Sequence, residues 1–440
     1  MISPGGGEIL RAPLFHTPRN PFFDASPLEA YADGALLIRE GKIVACGDYS
    51  SVRANYPETP VTDLRGGFLL PGLIDTHIHF PQLRVLGGLG KELLSWLEEF
   101  ALPEEARMAE TSYACDTASR FLRALASHGT TTALVFGSHF ASAMAILLEA
   151  GQKSGLRIIS GMVLSDRLLR PDLHQDPHCA YRECGELIHR FHGHGRLRYA
   201  VTPRFALSTS EAMLEICETL LREHSGLRLT THLNENRLEV AEVGRLFPWA
   251  ADYLAVYERF HLTGRRAVMA HNVHPSAAEL ERLAASGTAV SHCPCSNAAL
   301  GSGFFPLRRH IDARVKVSLG TDVGGGTGFG MLKEGLQAYL LQRLAPEGMS
   351  LDPAHLLYLA TRGGAEALDL ADEIGDFTPG KAADFVYLRP PKRSPLAAVT
   401  ERADSLPRTL AALFTLADSS CVQEVRVEGT PVYCARADDN

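Results

Sequence analysis

The sequence lacks the features that would tie it to a membrane, a nucleic acid or an oxidising compartment. No apolar run reaches the ~18 residues that a transmembrane helix needs. Positive charge is in deficit, with 43 Lys and Arg against 51 Asp and Glu and a net charge of −8. A nucleic-acid backbone would call for a basic field, and no long basic run supplies one locally. The nine cysteines are an odd number scattered without a framework spacing, which fits reduced thiols in a cytosol better than secreted disulfides. The opening Met1-Ile2-Ser3-Pro4-Gly5-Gly6-Gly7 has neither the charged nor the apolar part of a signal peptide. Internal repeats and low-complexity tracts are also missing. These absences predict a cytoplasmic protein whose partner is neither nucleic acid nor membrane.

What is present suits a large globular chain. Hydrophobic residues make up 45% and charged residues 21% of 440 residues, enough for a sizeable core and too long for one small domain. Two β-rich ends bracket a long middle. Near the start, Ala35-Leu36-Leu37-Ile38 and Lys42-Ile43-Val44-Ala45-Cys46 flank a Glu40-Gly41 turn. Near the end, Ala383-Asp384-Phe385-Val386-Tyr387-Leu388 and Val425-Arg426-Val427 read as further strands. They predict one composite β-sandwich domain from residues 1–70 and 376–440.

Residues 71–375 alternate strand and helix patterns. The strand candidates are residues 69–79, 130–136, 157–164, 198–205, 228–232, 267–271, 289–292 and 315–322, with helical apolar spacing between them, as in 210–222 and 276–285. Eight strands alternating with helices predict an α/β fold, a (β/α)8 TIM barrel, whose active site lies at the C-terminal ends of its strands.

Those ends carry the chemistry. The first strand closes on Pro71-Gly72-Leu73-Ile74-Asp75-Thr76-His77-Ile78-His79, where a period of two puts both imidazoles on one face, close enough to grip one ion. The fifth ends in His232, the sixth in His271 and the eighth in Asp322. A single buried histidine is usually a satisfied core residue, but five metal-capable groups at the strand ends of one barrel predict a metal site. Nitrogen and oxygen donors suit zinc, with iron a close rival. Cys293 and Cys295 lack a second pair and read as packing or rim residues. Glu235, three residues after His232, reads either as a proton shuttle over the pocket or as an acid favoured at a helix N-terminus.

Three resemblances fail on inspection. Gly375-x4-Gly380-Lys381-Ala382 lacks the Ser or Thr of a phosphate-binding loop and precedes a strand. The glycine cluster of residues 324–330 contains no complete dinucleotide motif and suits a close backbone approach to the metal pocket. The H-x-E with P-C-x-x-C of cytidine deaminases is absent.

Taken together, the motifs resemble the amidohydrolase superfamily over nearly the whole chain, through Gly380-Lys381-Ala382-Ala383-Asp384, and within it the guanine deaminase family. The resemblance implies His77, His79, His232 and Asp322 as ligands of one Zn2+ (or Fe2+) per subunit, with His271 beside the nucleophilic water. His77-Ile78-His79-Phe80-Pro81-Gln82 is similar to the family's H-x-H-x-x-Q, and Pro203-Arg204-Phe205 to its P-R-F. Gln82, Arg204 and Phe205 are thereby implied to read a purine. Leu94-Ser95-Trp96-Leu97, Ser302-Gly303-Phe304 and Gly320-Thr321-Asp322-Val323-Gly324-Gly325 fit as well. Two positions depart: Asn234 where serine is usual, and Cys295 where asparagine is usual. Neither is expected to carry the chemistry, although either could retune the pocket. The activity implied is hydrolytic deamination of guanine, with Glu235, His271 and Asp322 moving protons, in a homodimer. The alternatives are a related aminohydrolase acting on 8-oxoguanine, a pterin or a triazine, and an inactive binding homologue.

Overall fold

The computed structural model describes residues 7–435; the first six residues, read above for a targeting pattern, and the last five lie outside it. Five strands come first: β1 (Glu8–His16), β2 (Glu29–Arg39), β3 (Lys42–Asp48), β4 (Val61–Asp63) and β5 (Phe68–Pro71). The hairpin expected at Glu40-Gly41 forms between β2 and β3, with both residues at positive φ (51° and 75°). Ala35, Leu36, Leu37 and Ile38 are all buried because β2 has a core on each face. Leu36 and Ile38 pack toward Phe377 and Phe385, while Ala35 and Leu37 pack toward Ile9 and Val52. That is the period of two expressed as two apolar layers.

The chain then enters the barrel through β6 (Leu73–His79), β7 (Thr130–Phe136), β8 (Arg157–Gly161), β9 (Val163–Leu164), β10 (Arg198–Pro203), β11 (Arg228–Leu233), β12 (Ala267–His271), β13 (Ala289–His292) and β14 (Lys316–Leu319). Eight of these pair in parallel in the order β6-β7-β8-β10-β11-β12-β13-β14, and short β9 pairs beside β10. Helices such as Glu211–Glu223 and Ala277–Ser286 fall in the expected intervals, the first capped by Ser210 and the second by a Ser276–Glu279 capping box. The barrel's lower interior is filled by Ile74, Leu134, Ile159, Ala200, Val268 and Ala289, one from each of six strands, plugged from below by Ala365, Leu368 and Ile374. Their neighbours Ala133, Val135, Ile158 and Met269 face outward into the helix layer.

Three strands, β15 (Phe385–Leu388), β16 (Val422–Val427) and β17 (Thr430–Cys434), return to the first sheet, whose order is β17-β16-β15-β5-β1-β2-β3 with β4 beside β1. Both chain ends thus build one sheet. The strand expected over residues 69–79 divides at Gly72, β5 belonging to this sheet and β6 to the barrel. A Cβ at Gly72 would stand 2.2 Å from Thr131 Oγ1, so only glycine passes between the layers there. The two parts are clamped by Arg157 of β8, whose Nε donates to Asp384 (2.8 Å) and Nη2 to Glu428 (2.8 Å). Lys381, in the loop that resembles a phosphate binder, donates instead to Asp376 (2.6 Å) and the Ile374 carbonyl (3.3 Å). Among the described residues no helix is long and apolar enough to cross a membrane.

Candidate metal centre

Barrel closure and the cluster of metal-capable groups are the same piece of backbone. β14 and β6 meet at a seam where Asp322 N donates to His77 O (2.8 Å) and His79 N to Val323 O (3.1 Å). Asp75 reinforces it from inside, accepting from Thr321 N (3.1 Å) and Thr321 Oγ1 (2.5 Å). Asp322 therefore lies three residues beyond its strand, held beside the first strand's histidines.

Four donor atoms converge. His79 Nε2 lies 3.3 Å from both His77 Nε2 and His232 Nε2, and Asp322 Oδ1 lies 3.3 Å from the Nε2 of His77 and of His79. Donors ~2.0–2.1 Å from one ion in tetrahedral array stand roughly 3.3 Å apart, so the spacing fits a shared cation. The protonation states agree. His232 Nδ1 must donate to the Arg204 carbonyl at 2.6 Å, which leaves the Nε2 lone pair facing the cluster. Burial, then the neighbouring imidazoles, holds the His232 pKa well below its ordinary value, and burial above all pulls His77 down to about 3. Burial works against the Asp322 carboxylate, but hydrogen bonds from His77 and His79 hold its pKa well below the usual range. His232, with its Nε2 lone pair turned on the donor atom of His79, presents to the cluster the kind of donor that a cation needs. Cys293 comes within reach of His77 and His271 as well, yet burial keeps its thiol protonated and it faces the Ser291 carbonyl (3.8 Å).

His271 and Glu235 stand beside this set. Regular alternation past Met269 would send His271 outward; its left-handed backbone (φ 70°) turns it back. Asn234 (φ 50°), Asn272 (φ 47°) and Asp322 (φ 49°) share that conformation, each at a cost of about 1–2 kcal/mol for an ordinary residue. Asparagine tolerates it better than most, which gives the departure at position 234 a physical reason. The Asn234 amide donates to Asn272 (3.1 Å) and Glu279 (3.0 Å), away from the donor atoms. Asn297 Oδ1 accepts from His271 Nδ1 (2.9 Å), so His271 Nε2 faces Glu235 Oε2 (3.5 Å) and Asp322 Oδ2 (3.9 Å). Glu235 is buried, and its Oε1 meets no protein partner. Burial, followed by the Asp322 and Glu239 carboxylates, pushes its pKa well up, which favours its protonated form. The helix behind it begins only at Arg237 with Asn236 as its cap, leaving Glu235 outside the first turn.

Gln82 and Arg204 come together through a residue that sequence reasoning did not single out. Glu105 accepts from Gln82 Nε2 (2.7 Å) and, with both oxygens, from Arg204 Nη1 (2.8 and 2.7 Å). Gln82 Oε1 accepts from Gly324 N (3.1 Å), which brings the glycine cluster against the site, and a Cβ at Gly325 would stand 3.2 Å from Asp322 Oδ2. Phe205 is buried with its ring 6.1 Å from that of His232. Asn297 was also missed; its signal was the run His292-Cys293-Pro294-Cys295-Ser296-Asn297, without any hint of its partner. A surface cavity of about 660 Å³ lined by Leu221, His261, Arg265 and Asp369 lies elsewhere. It contains none of these groups, and donor geometry rather than cavity size marks the site.

An eight-stranded parallel barrel with such a rim defines a metal-dependent hydrolase. The sequence profile of the amidohydrolase family matches residues 68–432, and the chain belongs to that family. A shorter match, to an imidazolonepropionase-like bacterial composite domain, covers residues 34–58 in the first sheet. The chain is 56% identical over 437 residues to a probable guanine deaminase of Deinococcus radiodurans, covering 98% of this chain and 100% of that one. The solved guanine deaminase of E. coli superposes with a TM-score of 0.93 at 38% identity, covering 98% and 100%. One from C. acetobutylicum with guanine in its active site superposes at 0.90 and 26% identity, covering 97% and 100%. Within the amidohydrolase family the chain groups with the guanine deaminases.

Proposed function

We propose that this enzyme hydrolyses guanine to xanthine and ammonia. The observation that carries the reading is the buried guanidinium beside the donor cluster: Arg204 spends only Nη1 on Glu105, and Nε and Nη2 meet no acceptor among the described residues. Those two nitrogens keep some exposure to the pocket, where the carbonyl edge of a purine supplies an acceptor. Gln82 retains one N–H and one lone pair for the same ring.

His77, His79, His232 and Asp322 would hold one zinc ion, with iron the alternative. Once bound, the metal supplies Lewis acidity that makes water nucleophilic near neutral pH. Asp322 and His271 take the proton of the attacking water as it adds to C2. Glu235, whose protonated form burial favours, donates to ring nitrogen N3 so that charge does not accumulate there. The C2–N bond then breaks as the amine takes back the water proton held by Asp322 and His271 and leaves as ammonia, while the added hydroxyl gives up its proton to restore Glu235 and becomes the C2 carbonyl. His271 Nε2, 3.5 Å from Glu235 and 3.9 Å from Asp322, lies between the two carboxyls and can pass a proton from one to the other. The Phe205 ring lies against the His232 side of the pocket as a wall for the base. The reading includes a cytoplasmic homodimer with reduced thiols; all nine cysteines are free.

Turnover of guanine, followed by xanthine absorbance against 8-oxoguanine, a pterin and a triazine, tests the substrate. Good turnover of another ring with none of guanine would overturn the assignment. Purified protein that holds no metal and hydrolyses nothing would mark an inactive binding homologue.

A further inference from the structure

Glu105 plays no part in the reaction above, yet the groups that read the purine converge on it. It lies in the short helix Leu102–Ala106, 99 residues from Arg204 in sequence. Its oxygens accept from Arg204 Nη1 (2.8 and 2.7 Å) and Gln82 Nε2 (2.7 Å), and His139 Nδ1 stands 3.4 Å away. The Arg204 and Glu105 side chains are each 3% exposed, so water neither screens nor replaces this pair. Burial alone would raise the Glu105 pKa, but the Arg204 charge above all, with the Gln82 hydrogen bond, brings it net below the usual value. Burial lowers His139 to about 4, leaving it neutral. One cation and one anion therefore face each other at hydrogen-bond distance, and their charges cancel across the pair. The Gln82 amide has a single workable orientation, because the carboxylate can only accept and Gly324 N can only donate.

We propose that Glu105 is a positioning and specificity residue: it holds Arg204 and Gln82 in register for the purine and cancels the Arg204 charge, so that the pocket favours an uncharged ring over an anionic one. The inference rests on the purine reading above. It has a chemical consequence for turnover. Replacing the amine at C2 by oxygen makes the product a stronger acid than the substrate, and a pocket edge without net charge does not retain its anion. An unpaired Arg204 would do the opposite and hold it.

The test is Glu105→Gln in the metal-loaded enzyme. Calorimetry would measure binding of hypoxanthine, an uncharged purine, and of xanthine, partly anionic in mildly alkaline buffer. The KM and kcat for guanine would be measured beside them. The expected result is a guanine KM raised about tenfold with a much smaller change in kcat. Hypoxanthine weakens in parallel while xanthine holds or tightens, shifting their affinity ratio toward xanthine by about tenfold. Glu105→Asp keeps the charge and should keep the wild-type preference while weakening both ligands; it also serves if Glu105→Gln does not fold. Equal weakening of both purines by Glu105→Gln, a fall in kcat alone, or no change would overturn the proposal, as would loss of the preference in Glu105→Asp. Failure of the wild type to turn over guanine would instead overturn the purine reading. Wild-type turnover with unaltered selectivity in Glu105→Gln overturns the role of Glu105 alone.

Discussion

Replacing Glu235 by glutamine keeps the shape of the side chain and removes only its transferable proton. The carboxyl is 3% exposed, its Oε2 is 3.5 Å from His271 Nε2 and its Oε1 is free of protein partners. The 3.3 Å contacts that define the donor set join His77, His79, His232 and Asp322 without it. Metal content should therefore match the wild type. A positioned general acid contributes about 10²–10⁴ in rate, equivalent to about 3–5 kcal/mol of barrier at 1.36 kcal/mol per tenfold. The amide can still donate a hydrogen bond to the ring, so KM should move only a few-fold. Xanthine formation at saturating guanine, with elemental analysis of the same samples, measures both quantities. A rate near wild type would refute the shuttle. A rate lost in proportion to the metal would refute it too, by making Glu235 a ligand.

Chelation should abolish turnover and lower the melting temperature, because donor atoms of His77, His79, His232 and Asp322 only 3.3 Å apart lose the cation that holds them together; full activity in metal-free protein would contradict this, and reloading with Zn2+ or Fe2+ ranks the metals. Burial lifts Glu334 from 4.5 to about 8, so the unfolded chain releases a proton that the folded chain keeps, and wild-type stability falls as pH rises between those values. Glu334→Gln should therefore match the wild type near about pH 4 and exceed it by about 2–4 kcal/mol near about pH 8, read from urea melts at the two pH values. Gly161→Ala should destabilise by about 3 kcal/mol or more in the same melts, since its Cβ would stand 1.8 Å from the Ala200 carbonyl; a neutral result would mean that β8 and β10 can separate there.

The barrel was legible because each strand advertises itself locally. In Thr130–Phe136, Leu134 points into the barrel while Ala133 and Val135 point to the helices, and the same alternation recurs from strand to strand. His77, His79 and His232 needed only that periodicity and the rule that barrel sites lie at the C-terminal rim. The break at Gly72 was not legible, because an apolar run reads the same whether it serves one sheet or passes between two.

The sequence by itself determined the β/α alternation, the two ends that make one sheet, and which residue types stand at the rim. Only the tertiary structure decided how those residues face. Glu104 and Glu105 are adjacent and identical in type, yet Glu104 bonds Tyr113 while Glu105 holds the guanidinium of Arg204. His271 looks into the site because its backbone is left-handed and Asn297 fixes its ring. Periodicity is a property of neighbouring residues, set by backbone geometry. Pairing across 99 residues depends on which packing the whole chain adopts, and no local pattern records it.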